Sequence, residues 1–209
     1  MSLSVRGIAR HFLERRGRLS LAQVFFDDAV GGSLRERLVA LARQEISFEV
    51  RECIYANTAR YQQTWSHVHV RVQLVPDPGI TSATMNMLQG TWASAIVARW
   101  SNRFGIGHAG EATCPITFDV EWVTSNPHHI VRVQVGPARS NAGLWDTADT
   151  GDVAAHEFGH LHGNVDEYAD AGCPGRSPVG TGTVMDNNSD VVATRFVQHL
   201  ADNVGSGVV

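Results

Sequence analysis

The segment His156-Glu157-Phe158-Gly159-His160 holds a set of side chains that could do chemistry together. Four residues advance about 400° around an α-helix, so His160 returns close to the direction of His156 one turn later and both imidazoles face one point. Paired imidazole nitrogens of that kind suit a transition metal. Glu157 is offset around the same turn, where it approaches a metal-bound water from the side and accepts its proton instead of serving as a ligand. The chemistry expected of the set is hydrolysis. The metal polarises a carbonyl and lowers the pKa of water, and Glu157 takes a proton and returns it to the departing amine.

The residues around this segment are those that would hold it in place. Thr150 is placed to cap a helix beginning near Gly151, Asp152 favours its N-terminus, and Val153, Ala154, Phe158 and Leu161 give it apolar support. Gly163 ends it, because glycine tolerates the positive φ often needed just beyond a helix C-terminus. The chain then turns back and brings the Asp166 carboxylate to the metal, leaving one coordination position for water; Glu167 offers a second carboxylate beside it. These mixed nitrogen and oxygen ligands favour zinc, as one catalytic ion. His162 lies about 200° from His160, so it is expected to be structural or rim-facing rather than a ligand.

The remaining elements are read from periodicity. Ser47–Cys53 and His67–Val75 alternate as strands, with Val68, Val70, Val72 and Leu74 on the inner side and His67, His69, Arg71 and Gln73 on the other. After a turn at Pro76, Pro78 and Gly79, a long helix capped by Thr81 carries an apolar stripe of Met85, Leu88, Trp92, Ile96 and Trp100. Gly105, Gly107 and Gly110 mark a bend, strands follow at Ile116–Val123 and His129–Val135, residues 172–183 form a loop, and Val191–Asn203 forms a last helix with Val192, Phe196 and Leu200 inward. The strand His129, Ile130, Val131, Arg132, Val133, Gln134, Val135 would pair an extended peptide along an exposed edge. Two helical pieces, near Ile8–Arg16 and Ser33–Ala42, form an N-terminal extension.

The run from His156 to Asp166, His-Glu-Phe-Gly-His-Leu-His-Gly-Asn-Val-Asp, resembles the extended zinc motif of the metzincin endopeptidases, in the subgroup whose third ligand is aspartate. That resemblance implies a methionine turn below the metal, a role that Thr183-Val184-Met185-Asp186 fits, with Met185 nineteen positions beyond Asp166. It covers residues 47–204 and implies an α+β class: a compact metzincin-like catalytic domain with a mixed twisted sheet, a backing helix, the zinc-binding helix, the methionine turn and a C-terminal helix. The division is then 1–45 as a helical extension or accessory segment and 46–209 as the metallopeptidase domain. Asn187 stands where some branches carry tyrosine, so Tyr168, His162 and Asn187 are the remaining cleft or rim residues.

Composition narrows the setting. The chain has 209 residues, 43% hydrophobic and 18% charged, with a net charge of −4, which fits a globular protein and gives no reason to expect polyanion binding. The arginines Arg35, Arg37 and Arg43 are interrupted by Glu36 and Glu45, so no nucleic-acid partner is expected. No apolar run is long enough for a transmembrane segment or an ordinary secretory signal, so cytoplasmic synthesis is expected, with export by a non-classical or specialised secretion route as a secreted effector left open. Cys53, Cys114 and Cys173 allow at most one bridge; Cys114–Cys173 is one option, and Cys173 as a thiolate at the metal is another. The function expected is a zinc-dependent endopeptidase that hydrolyses internal bonds of a protein or peptide substrate. The alternative is an inactive zinc-containing protein-binding module. Oligomeric state is not legible.

Overall fold

The computed structural model describes residues 43–107 and 113–209; the expected helices near Ile8–Arg16 and Ser33–Ala42, and Gly110, lie outside them. Strand β1 (Gln44–Glu52) pairs antiparallel with β2 (Tyr55–Thr64), and β2 pairs antiparallel with β3 (His67–Pro76). The alternation of β3 follows its sequence: Val68, Val70 and Val72 are fully buried, while His67, His69 and Arg71 remain partly exposed. β3 takes two parallel partners, β6 (Thr117–Trp122) along His67–Val72 and β7 (His129–Gln134) along Val72–Pro76. β7 in turn pairs parallel with β8 (Leu144–Asp146), completing a six-stranded sheet. β4 (Gly105–Gly107), β5 (Cys114–Pro115) and β9 (Gly207–Val208) make a smaller second sheet.

Helix α1 (Ser82–Trp100) starts where expected, with the Thr84 N–H donating to the Thr81 side chain, and its buried residues are Met85, Leu88, Trp92, Ile96 and Trp100. It backs α2 (Gly151–Leu161), the helix that carries both site histidines. Two indoles fix the pair: Trp92 Nε1 donates to the Asp149 carbonyl at 3.1 Å and Trp100 Nε1 to the Ala155 carbonyl at 2.8 Å. Each of these large rings thus buries its apolar body while its only donor finds an acceptor.

Four expectations differ from this arrangement. The Gly105–Gly107 bend is strand β4, held by Ile106, which is fully buried and pairs with both β5 and β9. The continuous Val191–Asn203 helix is instead a 3-10 turn at Thr194–Phe196 followed by α3 (Gln198–Asn203). The Val191 carbonyl accepts from the Val184 N–H at 2.8 Å, which holds the start of that segment extended against the loop carrying Met185. Val192, Phe196 and Leu200 are buried all the same. The strand His129–Val135 is not an open edge: His129–Val133 pair with β3 and Arg132–Gln134 with β8, and Val135 lies past the strand's end. The cysteine options also change. Cys53 and Cys173 form a disulfide and Cys114 is free, so Cys173 offers no thiolate to a metal and no bridge to Cys114.

Candidate metal centre

The helix that carries the site is built as its residues predict. The Val153 N–H donates to the Thr150 side chain at 3.4 Å, and Ala154, Phe158 and Leu161 are fully buried. Beyond Leu161 the chain turns at Gly163, with φ +113°, where a Cβ would come within 2.5 Å of the Phe48 ring on β1. Glycine is required there on both counts. The turn brings the Asn164 carbonyl onto His160 Nδ1 at 2.8 Å, and the Val184 carbonyl receives His156 Nδ1 at 2.7 Å. A carbonyl oxygen only accepts, so each Nδ1 carries the proton and each Nε2 is directed at the site. Met185 follows Val184 and is fully buried; a Cβ on Gly159 would meet its sulfur at 2.6 Å and the Trp100 ring at 2.9 Å. Gly159 is therefore small because α2 lies directly against the Met185 turn and α1.

His156, Glu157 and His160 form the group among the described residues whose metal-binding atoms all lie within 4.8 Å of one another. Asp166 does not belong to that group. This corrects the expected triad with an aspartate as third ligand, and with it the assignment to the metzincins. Asp166 Oδ1 lies 3.1 Å from both His156 Nε2 and His160 Nε2, while its Oδ2 accepts from the Tyr168 hydroxyl at 2.8 Å and stands 3.5 Å from Arg176. The carboxylate is thus a charge and hydrogen-bond partner of the imidazoles, not gathered with Glu157. Glu167 points elsewhere, accepting from Arg195, Thr181 and Thr183, and its N–H donates to the Met185 carbonyl at 2.7 Å. It fastens the loop after α2 to the turn that carries Met185.

Electrostatics separate the carboxyl groups. Burial raises Glu157 above the usual carboxylate range, and its Oε2 has no hydrogen-bond partner, with His160 Nε2 3.9 Å away. Burial pushes Asp166 the same way, but the hydrogen bonds from His156 and His160 outweigh it and hold Asp166 well below that range. Burial disfavours charge on His160, yet its hydrogen bond to Asp166 and the nearby Glu157 raise it to about 9. The group therefore favours positive charge between the two imidazoles and the carboxylates. A proton on His160 or a divalent cation between the two imidazoles meets the same demand.

A cavity of about 300 Å³ opens on the group, lined among others by Tyr55, Arg139, Asn141, Glu157 and Tyr168. A second, of about 440 Å³, adjoins it and shares Tyr55, Asn141, His160 and Asp166. Tyr168 lines the smaller of these cavities. His162 does not: it is fully buried, edge-on to Trp100 at 4.5 Å between ring centroids and stacked on His199. Asn187 is exposed and lines neither cavity.

Several site residues escaped sequence reasoning. Asn57 of β2 donates to the His160 carbonyl at 2.9 Å, and Tyr55 donates to Asp170 at 2.9 Å. Arg176, whose side chain is 1% exposed, donates to Glu52 and to the Tyr168 carbonyl and lies over the Tyr168 ring. No local spacing signals these residues, since each meets the site across the fold. Comparison with protein-family models, curated proteins and solved structures finds no match for the chain.

Proposed function

We propose that the protein is a zinc-dependent endopeptidase in which His156 and His160 hold the metal and Glu157 moves the proton. The observation that carries this reading is the pair of backbone carbonyls on the two Nδ1 atoms, which turns both Nε2 atoms to one point beside a buried, unpartnered carboxylate oxygen. Structural zinc sites are closed by four protein ligands, whereas here the group adjoins open cavities. Bound zinc would supply Lewis acidity to a peptide carbonyl and to water.

The chain's own groups do the rest. Glu157 Oε2 accepts a proton from the water that attacks the carbonyl carbon, and burial, by raising its affinity for that proton, fits it to hand the proton to the amine nitrogen when the C–N bond breaks. Asp166 adds negative charge beside both imidazoles and so favours a cation between them. Tyr168 holds Asp166 from its other oxygen. Val184 and Asn164 keep the imidazole planes fixed through their carbonyls.

The test is peptide-library cleavage by wild-type protein and by E157Q, with zinc stoichiometry measured on both. Chelator-sensitive, zinc-restored cleavage is expected of the wild type, and E157Q should keep its zinc and lose about 10²- to 10⁴-fold in rate, the usual contribution of a positioned acid–base group. Full activity in E157Q would overturn the proposed role of Glu157. Zinc binding with no cleavage by the wild type would turn the reading to a protein-binding module.

A further inference from the structure

We infer that the cavity beside Glu157 selects substrates bearing a carboxylate, and that Arg139 is the residue that binds it. The inference rests on the hydrolase reading of the same cavity and names its substrate class.

Arg139 lines the cavity of about 300 Å³ together with Glu157, and its side chain is 69% exposed. One nitrogen, Nη2, donates to the Tyr168 hydroxyl, and the guanidinium lies 5.4 Å over the Tyr168 ring. Tyr168 is itself fixed by its bond to Asp166 and by Arg176 on its ring, so Arg139 is tethered to a rigid support. Among the described residues its Nε and Nη1 have no hydrogen-bond acceptor. A guanidinium in that condition presents donors in a planar fork that matches a carboxylate.

The carboxylates nearby are engaged with other partners. Asp170, 3.9 Å from Arg139, accepts from the Tyr55 hydroxyl and the Gly172 N–H and lies 4.0 Å from Arg176. Asp166 is taken by the two histidines and Tyr168. The contrast with Arg176 is instructive: that guanidinium is buried and bonded to Glu52 and to a carbonyl, and serves the fold. Asn141, on the same cavity wall, uses its Oδ1 to accept from the Gly143 N–H at 2.9 Å, which leaves its amide nitrogen as a further donor. The cavity thus offers a fixed cation and a neutral donor close to the proposed proton acceptor.

The carboxylate has two sources, an acidic side chain near the scissile bond or the C-terminus of a peptide. Matched peptides with Glu, Gln or Lys at each position flanking the cleaved bond, each with a free and an amidated C-terminus, separate them. Wild-type protein should prefer the carboxylate-bearing member of a pair by about ten- to a hundredfold in kcat/KM, the range of charge-assisted hydrogen bonds. In R139A that ratio should fall to about one, R139K should keep part of it, and R139E should turn it toward Lys. Preference for Glu over Gln that survives amidation assigns the side chain; preference lost on amidation assigns the terminus. Binding of the same peptides to E157Q and to E157Q with R139A, measured by calorimetry, reads the contact without turnover. Cleavage by the wild type with a ratio near one, or a ratio that R139A leaves unchanged, overturns the inference and leaves the hydrolase reading standing. Carboxylate-selective, Arg139-dependent binding with no cleavage in the wild type would sustain the site while the hydrolase reading fails.

Discussion

His156, His160 and Asp166 have the same composition as His67, His69 and Asp119, yet the two groups are organised differently. On α2 and the loop after it, one oxygen of Asp166 lies 3.1 Å from both Nε2 atoms, and each Nδ1 is held by a backbone carbonyl. On the sheet, Asp119 uses one oxygen for His67 Nε2 at 2.9 Å and the other for His69 Nδ1 at 2.8 Å, while His69 Nε2 meets Glu121 at 3.1 Å. Same-face residues of a strand stand about 7 Å apart, so a single carboxylate must reach outward to each. One helical turn superposes its side chains and lets them converge. Exposure adds to the difference: the side chains of His67 and Asp119 are 45% and 43% exposed, against 6% for His156 and 16% for Asp166. The lesson is that residue type makes ligation chemically available, and the backbone that orients each ring decides whether the nitrogens meet.

The largest expected effect follows directly. In zinc titrations by equilibrium dialysis, H156A should weaken binding by more than about a hundredfold, beyond what loss of a supporting partner usually costs, whereas the double variant H67A/H69A should bind as the wild type does. Equal losses in both variants would erase the distinction between the two groups. A smaller effect comes from the packing behind the helix. Gly159→Ala places a methyl 2.6 Å from the Met185 sulfur and 2.9 Å from Trp100, and overpacking of that kind should lower unfolding free energy by about 1–3 kcal/mol in urea melts.

Acid should weaken the fold around His199 and His129. Burial lowers His199 and His129 from 6.5 to about 4, so the unfolded chain takes up protons from pH 6.5 downward while the folded chain resists them until about pH 4. Stability should therefore be full above pH 6.5 and fall between 6.5 and 4, by at most about 1.4 kcal/mol per pH unit for each histidine. Melts of H199F across that window should show a shallower fall; an unchanged slope would exclude His199 as a contributor. The smallest effect is on the sheet. D119N should change stability by no more than about 1 kcal/mol, as befits a half-exposed ion pair.

Much of the fold around the site can be read locally. The Thr81 and Thr150 caps, the five-residue buried stripe of α1, the alternation of β3 and the turn at Gly163 all stand where periodicity and backbone preference put them. β2 is a different matter, because its inner face hides a polar residue. Gln63 is 1% exposed and donates to the Trp65 and Leu200 carbonyls, so a residue that reads as surface is satisfied inside the core. β8, three residues long, has too few positions to show a period. The disulfide joins residues 120 apart, and three cysteines alone cannot indicate which two meet.

What followed from the chain itself was the placing of His156 and His160 on one helical face with Glu157 beside them, because three or four residues of a helix set those directions without outside help. What only the tertiary structure decided was the use of every group that arrives from elsewhere. Asp166 became the shared partner of two imidazoles, Glu167 an anchor for the segment at Met185, His162 a core ring, and Arg139 the cation facing the cavity. A side chain's local direction depends on its own backbone, but its partners depend on which other segments pack against it, and those are chosen by the fold as a whole.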